Sequence, residues 1–298
     1  MNRRTFIHRT LGATAGSLLA TCAGGATAKR DSLAGEVGLT TGSISKHLAP
    51  SGPKLTFIEW PKLMREELDL RVLDIMSTTL PSTEPAYLER LRAAAERAGC
   101  VITNLKLNQP GLDLAAGDEA ARRHAIDTYG QSMRVAAQLG ARWVRPVSGR
   151  VKGANYQRLA SSYRELIAHG DSLGITVLIE NVGWIKDDTD AIPDIIKEVG
   201  GGLRSQPDTG NWTDAARYEG LKKAFPFAAS CDFKAFELEP DGTHRAYDLK
   251  RCFQVGWDAG FRGPWCIEHF HEDFPRCRRE LALLRDQLRG WMRAARPQ

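Results

Sequence analysis

The stretch NYQRLASSYRELIAHGDSLGITVLIENV, residues 155–182, decides the fold. In its first part apolar residues recur at helical spacing, with Leu159, Tyr163 and Leu166 on one face. Gly174 follows, where a helix C-terminus favours a residue free to take the left-handed conformation. The run from Ile175 to Ile179 is rich in β-branched residues and reads as a buried strand that stops on Glu180. The unit is therefore helix, glycine, strand, with an acid at the strand's C-terminal tip.

The same junction recurs. Ala98-Gly99-Cys100-Val101 and Leu139-Gly140-Ala141-Arg142-Trp143-Val144 repeat the pattern, and a helical stretch ending on Gly260 precedes another strand. Strand-like runs lie at 36–42, 71–78, 100–108, 142–149, 175–182, 203–211, 227–236 and 263–270, with amphipathic stretches between them. Strict alternation of strand and helix implies a parallel sheet with helices outside. Eight such units in this length predict an α/β fold, a (β/α)8 TIM barrel, over a single domain at 36–298. An open doubly wound sheet fits less well, because no glycine-rich phosphate fingerprint follows the first strand.

In such barrels the chemistry sits at the C-terminal ends of the strands. Four consecutive strands here each end in an acid: Glu180, Asp208 with Gln206 below it, Asp232 with Lys234 on the same face, and Glu268 above Cys266. Adjacent strands run about 4.8 Å apart, so these tips can converge. Unpaired charges ~4 Å apart repel by ~4 kcal/mol at an effective dielectric near 20. A divalent cation, Lys or Arg partners, or raised pKa values would make the cluster tolerable. Lys106 and Arg145 face the same end, His269 and His271 follow Glu268, and Trp184 and Trp212 lie just past strand tips where an indole could cover a sugar ring. For each of these a rim role in ordinary packing or hydrogen bonds competes with substrate contact.

GITVLIEN, PDTGNW, CDFKAF, AGFRGPWCIEHF and LGARWVRPVSG, in this order, resemble the sugar phosphate isomerase/epimerase family of xylose isomerase-like TIM barrels, over roughly 36–295. The resemblance implies a divalent metal held by Glu, Asp, His and Glu at the ends of strands 5 to 8. Carried to this chain it implies Glu180, Asp208 and Glu268 as ligands, with Glu180 and Glu268 also acting as acid and base. Where the family reads His-x-Lys-Asp, this chain reads Asp232-Phe233-Lys234-Ala235. Either Asp232 is the third ligand, giving an all-carboxylate site suited to Mn or Mg rather than Zn, or no metal is held and Lys234 supplies the positive charge. The expected activity is isomerisation or epimerisation of a sugar or keto-sugar by proton abstraction next to a carbonyl, with Glu180, Glu268 and Lys234 catalytic. A lyase or dehydratase on a keto-sugar, keto-glycoside or polyol is the alternative, and a non-catalytic secreted sugar-binding protein a second. Substrate-binding candidates are Lys106, Arg145, Trp184, Gln206, Trp212, His269 and His271.

The N-terminus opens MNRRTFIHRT and continues through a mildly apolar stretch to Ala26-Thr27-Ala28. Adjacent arginines, an aromatic-aliphatic pair and a small-residue cleavage site read as a twin-arginine (Tat) signal over 1–28, with a linker at 29–35. The expectation is a periplasmic or secreted bacterial protein whose partners are the Tat machinery and a small carbohydrate; an oligomer is compatible. Without the signal, Lys+Arg falls from 41 to 38 against 36 acidic residues, leaving about +2 and no electrostatic footprint for nucleic acid. That balance and the few histidines near strand ends also argue against a DNA-repair endonuclease on this barrel. No later apolar run approaches the ~20 residues of a membrane span. Cys100, Cys231, Cys252, Cys266 and Cys277 read as buried thiols with room for one disulfide.

Overall fold

The alternation expected above is the alternation found. A computed structural model describes residues 32–49, 55–149 and 156–296. The signal-peptide reading at 1–28 lies outside them. Eight strands run β1 Val37–Thr40, β2 Val72–Met76, β3 Val101–Leu107, β4 Trp143–Pro146, β5 Thr176–Ile179, β6 Leu203–Ser205, β7 Cys231–Lys234 and β8 Trp265–Glu268. The helices between them are α1 Trp60–Leu68, α2 Pro85–Arg97, α3 Glu119–Gln138, α4 Tyr156–Leu173, α5 Ala191–Val199, α6 Arg217–Ala224, α7 Leu249–Asp258 and α8 Phe274–Ala294. All strand pairs are parallel, in the order β6-β5-β4-β3-β2-β1-β8-β7.

The helix ends are chemically marked. Asp118, Asp248 and Asp273 accept hydrogen bonds from the first-turn amides of α3, α7 and α8. Gly174 (φ +67°) lets the chain leave α4 and enter β5.

The seam between β6 and β7 is built differently from the rest. Parallel bridges pair Ser205 with Ala228 and Asp208 with Asp232. The Ala229 amide donates to the Ser205 carbonyl, Asp232 N to Pro207 O, and Thr209 N to Asp232 O, each at 2.9 Å. The Thr209 hydroxyl completes the ladder: it accepts from Lys234 N at 2.9 Å and donates to Lys234 O at 3.2 Å. The strand expected at 203–211 is therefore cut short. Pro207 has no N–H to give, and the Asp208 carboxylate bonds the amides of Gly210 and Asn211, turning the chain. The strand expected from 227 starts later, because Phe225–Phe227 forms a 3-10 turn around Pro226.

Strand faces divide the core. Val37, Leu39, Leu105, Val144, Phe233 and Ile267 join the main apolar cluster with the helices. The opposite face is layered. Low in the barrel, Val72 and Cys266 both pair in register with Gly38 and pack with Leu33 and Trp143 as a small separate cluster. A Cβ on Gly38 would lie 2.8 Å from the Val72 side chain, so this layer closes only on a glycine. Toward the C-terminal end of the strands the same face turns polar, with Thr40, Asp74, Asn104, Lys106 and Asp232 all buried. The five described cysteines are free and buried, which corrects the allowance for a disulfide.

Candidate active site at the C-terminal mouth of the barrel

The polar layer is a connected network. Lys106, on β3, reaches across the barrel: its Nζ lies 2.7 Å from Asp232 Oδ1, 3.5 Å from Glu268 Oε2 and 3.2 Å from Thr40 Oγ1. Gln206 donates to Asp232 Oδ1 at 3.0 Å and accepts from Asn104 at 2.8 Å. Asp74 accepts from Thr103 at 2.5 Å. Burial opposes the Lys106 ammonium, but Asp232, Glu268 and further acids outweigh it and hold its pKa well above the usual lysine range. Burial pushes the Asp232 carboxyl well above the usual range, and Lys106 restrains it.

Above this floor sits the mouth. Met76, Asn108, Arg145, Glu180, Asn211, Lys234 and Glu268 line a cavity of ≈ 460 Å³ together with Val147, Val182 and Gly183. That size falls within the roughly 300–1,000 Å³ range of small-molecule sites. Lys234 Nζ lies 2.8 Å from both Asp208 Oδ2 and Glu268 Oε1, and donates to Asn211 Oδ1 at 2.8 Å. The other end of the Asn211 amide donates to Glu180 Oε1 at 3.0 Å. Arg145 Nε is 2.9 Å from Glu180 Oε2, and its Nη1 donates to Asn108.

The two glutamates at this mouth sit in opposite electrostatic settings. Burial raises the Glu180 pKa despite Arg145. Burial also works against ionised Glu268, but Lys106 and Lys234 overcome it and bring its pKa to about 2. One carboxyl is biased toward holding a proton and the other toward staying ionised.

A divalent ion fits part of the expected ligand set. Glu180, Asp208 and Asp232 are buried, and one oxygen from each lies within 4.8 Å of the others. Each acid commits one oxygen: Glu180 Oε1 to Asn211, Asp208 Oδ1 to two backbone amides, Asp232 Oδ1 to Lys106 and Gln206. Of the remaining oxygens, Glu180 Oε2 and Asp208 Oδ2 are ion-paired with Arg145 Nε at 2.9 Å and Lys234 Nζ at 2.8 Å, and Asp232 Oδ2 is buried without a hydrogen bond. The charge count agrees. Asp74, Glu180, Asp208, Asp232 and Glu268 face Lys106, Arg145 and Lys234, a shortfall of two positive charges. One divalent cation carries that charge, and protons on the acids are the other way to meet it. An all-carboxylate set suits Mg or Mn better than Zn.

Glu268, expected as a fourth ligand, stands outside this acid group and is held by the two lysines instead. His269 turns away from the cavity; its Nε2 lies 2.7 Å from Glu280 on α8 and its Nδ1 3.2 Å from the Ala235 carbonyl. His271 Nδ1 accepts from the Asp273 amide beside the start of α8. Neither histidine lines the cavity. Trp184 is buried and stacks on Tyr156, and Trp212 is buried against Gly220, so neither offers a face to a sugar there. Gln206 lies in the floor beneath. Asn211 is the residue sequence reasoning passed over, although it sits in the PDTGN turn whose short polar run is the signal for a structured strand exit.

The fold and this constellation define a class of protein, an α/β barrel with an acid- and lysine-lined mouth. Residues 67–295 match the family described as Xylose isomerase-like TIM barrel, and the chain belongs to that family. Its fold is similar to D-psicose 3-epimerase with D-tagatose from Clostridium cellulolyticum H10 (TM-score 0.69, 14% identity, 86% of this chain and 99% of that one). It is also similar to a xylose isomerase domain protein from Planctomyces limnophilus (TM-score 0.64, 16% identity, 87% and 96%). A xylose isomerase-like TIM barrel protein from Mycobacterium smegmatis in complex with magnesium gives TM-score 0.62 at 17% identity, covering 87% of this chain and 97% of that one. No curated protein matches the sequence.

Proposed function

We propose that this protein is a sugar isomerase or epimerase that moves a proton at a carbon next to a carbonyl. The observation that carries the reading is the pair Glu180 and Glu268, presented from β5 and β8 to one cavity with opposite protonation bias. Ionised Glu268 takes the proton from the carbon. The C–H electron pair moves into a carbon–carbon double bond, and the carbonyl oxygen becomes an oxyanion. Arg145 and Lys234 line the same cavity and stabilise that negative charge. Glu180 returns a proton to carbon, and exchange with water resets both acids. Asn211 holds Glu180 and Lys234 in register.

A divalent ion held by Glu180, Asp208 and Asp232, Mg or Mn by donor type, would add positive charge at the substrate oxygens. The substrate class is a ketose or keto-sugar. The paired arginines and Ala26-Thr27-Ala28 support export outside the cytoplasm by the Tat route as part of this proposal, and N-terminal sequencing of protein from a periplasmic fraction tests this, with processing after Ala28 as the expected result.

The reaction is tested by NMR of a panel of keto-sugars in deuterated buffer. Incorporation of one deuteron at carbon with all atoms retained is expected. Loss of water or an aglycone would make the protein a lyase, and absence of carbon exchange across the panel would make it a binding protein.

A further inference from the structure

The three remaining oxygens of the acid triad differ in their surroundings, and Glu180 Oε2 lies 2.9 Å from Arg145 Nε. Asp232 Oδ2 has none among hydrogen-bond donors. Asp208 has spent Oδ1 on the Gly210 and Asn211 amides, at 2.7 and 3.0 Å, so Oδ2 is its one oxygen left for a cation. That oxygen lies 2.8 Å from Lys234 Nζ. The lysine stem is laid over Gly210: a Cβ there would fall 2.6 Å from Lys234 Cδ and 2.7 Å from Cγ. The ammonium has other acceptors in reach without leaving the mouth, Glu268 Oε1 and Asn211 Oδ1, each at 2.8 Å. The side chain is 16% exposed, and the cavity opens beside it.

We infer that Lys234 is a built-in competitor for the divalent ion: its ammonium occupies Asp208 Oδ2, and metal binding breaks that contact and leaves the ammonium on Glu268 and Asn211 at the cavity wall. The inference rests on the metal site of the proposed function and goes beyond it. Two cations cannot share one carboxylate oxygen in a buried site without strong repulsion, because like charges a few ångströms apart are screened far less there than in water. The lysine must therefore give way, and its pairing with Asp208 is subtracted from metal affinity. In exchange, the metal-free barrel is partly self-neutralised. Released from Asp208, the ammonium stays on the cavity wall with Glu268 and Asn211, so ion loading and the repositioning of Lys234 are one event.

The test is calorimetric titration of the full chain with Mn²⁺ alone, then Mg²⁺ alone, for the wild type, Lys234→Gln and Lys234→Met. Lys223→Met on α6 serves as a control, since that lysine pairs with Asp190 and Glu219 rather than with the site. Lys234→Gln keeps a hydrogen-bond donor near Asp208, so it remains informative if Lys234→Met does not fold; circular dichroism checks both. The expected result is roughly ten-fold or greater tightening of Mn²⁺ binding in the Lys234 variants and no change in the control. Equal or weaker binding in the folded variants overturns the competition while leaving the metal site in place. No binding by the wild type or either variant overturns it together with the metal site; carbon–deuterium exchange then reports separately on the proton-transfer reading.

Discussion

Lys106 Nζ and Asp232 Oδ1 lie 2.7 Å apart at the centre of the barrel, each side chain 1% exposed. The contact joins β3 to β7 across the interior. Removing one partner strands a buried charge, which costs about 3–5 kcal/mol, whereas removing both is far milder. Lys106→Met alone is therefore expected to lower stability by about that much, and Lys106→Met with Asp232→Asn by clearly less than the sum of the singles. Urea denaturation of the full cycle measures it. Additive losses would show that the pair is not coupled.

Glu268→Gln keeps the shape of a side chain held by two lysines and removes its basicity. Carbon–deuterium exchange on an active keto-sugar is expected to fall by roughly 10²–10⁴-fold, the usual contribution of a general base, with the fold intact. Glu180→Gln should lose turnover to a similar degree. Unchanged exchange in Glu268→Gln would move the base elsewhere.

Asn211 touches Glu180 with one end of its amide and Lys234 with the other. Asn211→Ala is expected to lower kcat by up to about 10²-fold with a smaller change in KM, because a misplaced reacting group is costly even when substrate still binds. Asn211→Asp should not rescue it, since a carboxylate cannot donate to Glu180. A change confined to KM would make Asn211 a binding contact only.

Acid stability draws on a second cluster, behind the mouth. Burial alone would raise the Glu280 pKa, but hydrogen bonds from Arg276 and His269 outweigh it and hold it below the usual glutamate range. A depressed folded-state pKa contributes stability that is complete above the unfolded value and lost as pH falls through the folded one. Glu280→Gln is expected to flatten the loss of stability below the ordinary glutamate pKa while changing carbon exchange at neutral pH little. Denaturation midpoints at stepped pH read this directly. A variant with the same acid slope as the wild type would remove Glu280 from the account.

The strands were legible because each buried run is announced by a glycine-closed helix, as at Gly174 before β5. Their ends were less legible: the Asp208 turn and the Phe225–Phe227 turn depend on side-chain and proline chemistry that periodicity does not register. Among the site residues, Glu180, Lys234, Glu268 and Arg145 line one cavity because strand parity fixes their direction. Parity fails beyond a strand's last residue. His269 and His271 follow β8 in sequence, yet the chain there bends toward α8, where Glu280 and the Asp273 amide take them up. Trp184 and Trp212 went the same way, since large rings past a strand tip find more apolar surface among helices than at a polar mouth. The network joining Lys106, Asp232, Gln206 and Asn104 is drawn from β3, β7 and the exit of β6, far apart in sequence, so no local pattern encodes it.

The β6–β7 seam has a consequence for motion. Asp208 and Asp232 face each other across the place where the sheet is stitched by isolated bridges and one threonine hydroxyl. Thr209→Val removes that hydroxyl and leaves the Lys234 amide without its acceptor, at about 1–3 kcal/mol, while the Lys234 carbonyl keeps the Tyr247 hydroxyl. Amide hydrogen exchange should accelerate first at Asp232 and Lys234 in this variant, and uniform acceleration across the barrel would deny the seam any special weakness. A cation gripping both acids would act as a rivet through this zip, so the amides on either side become a reporter of occupancy that needs no substrate at all.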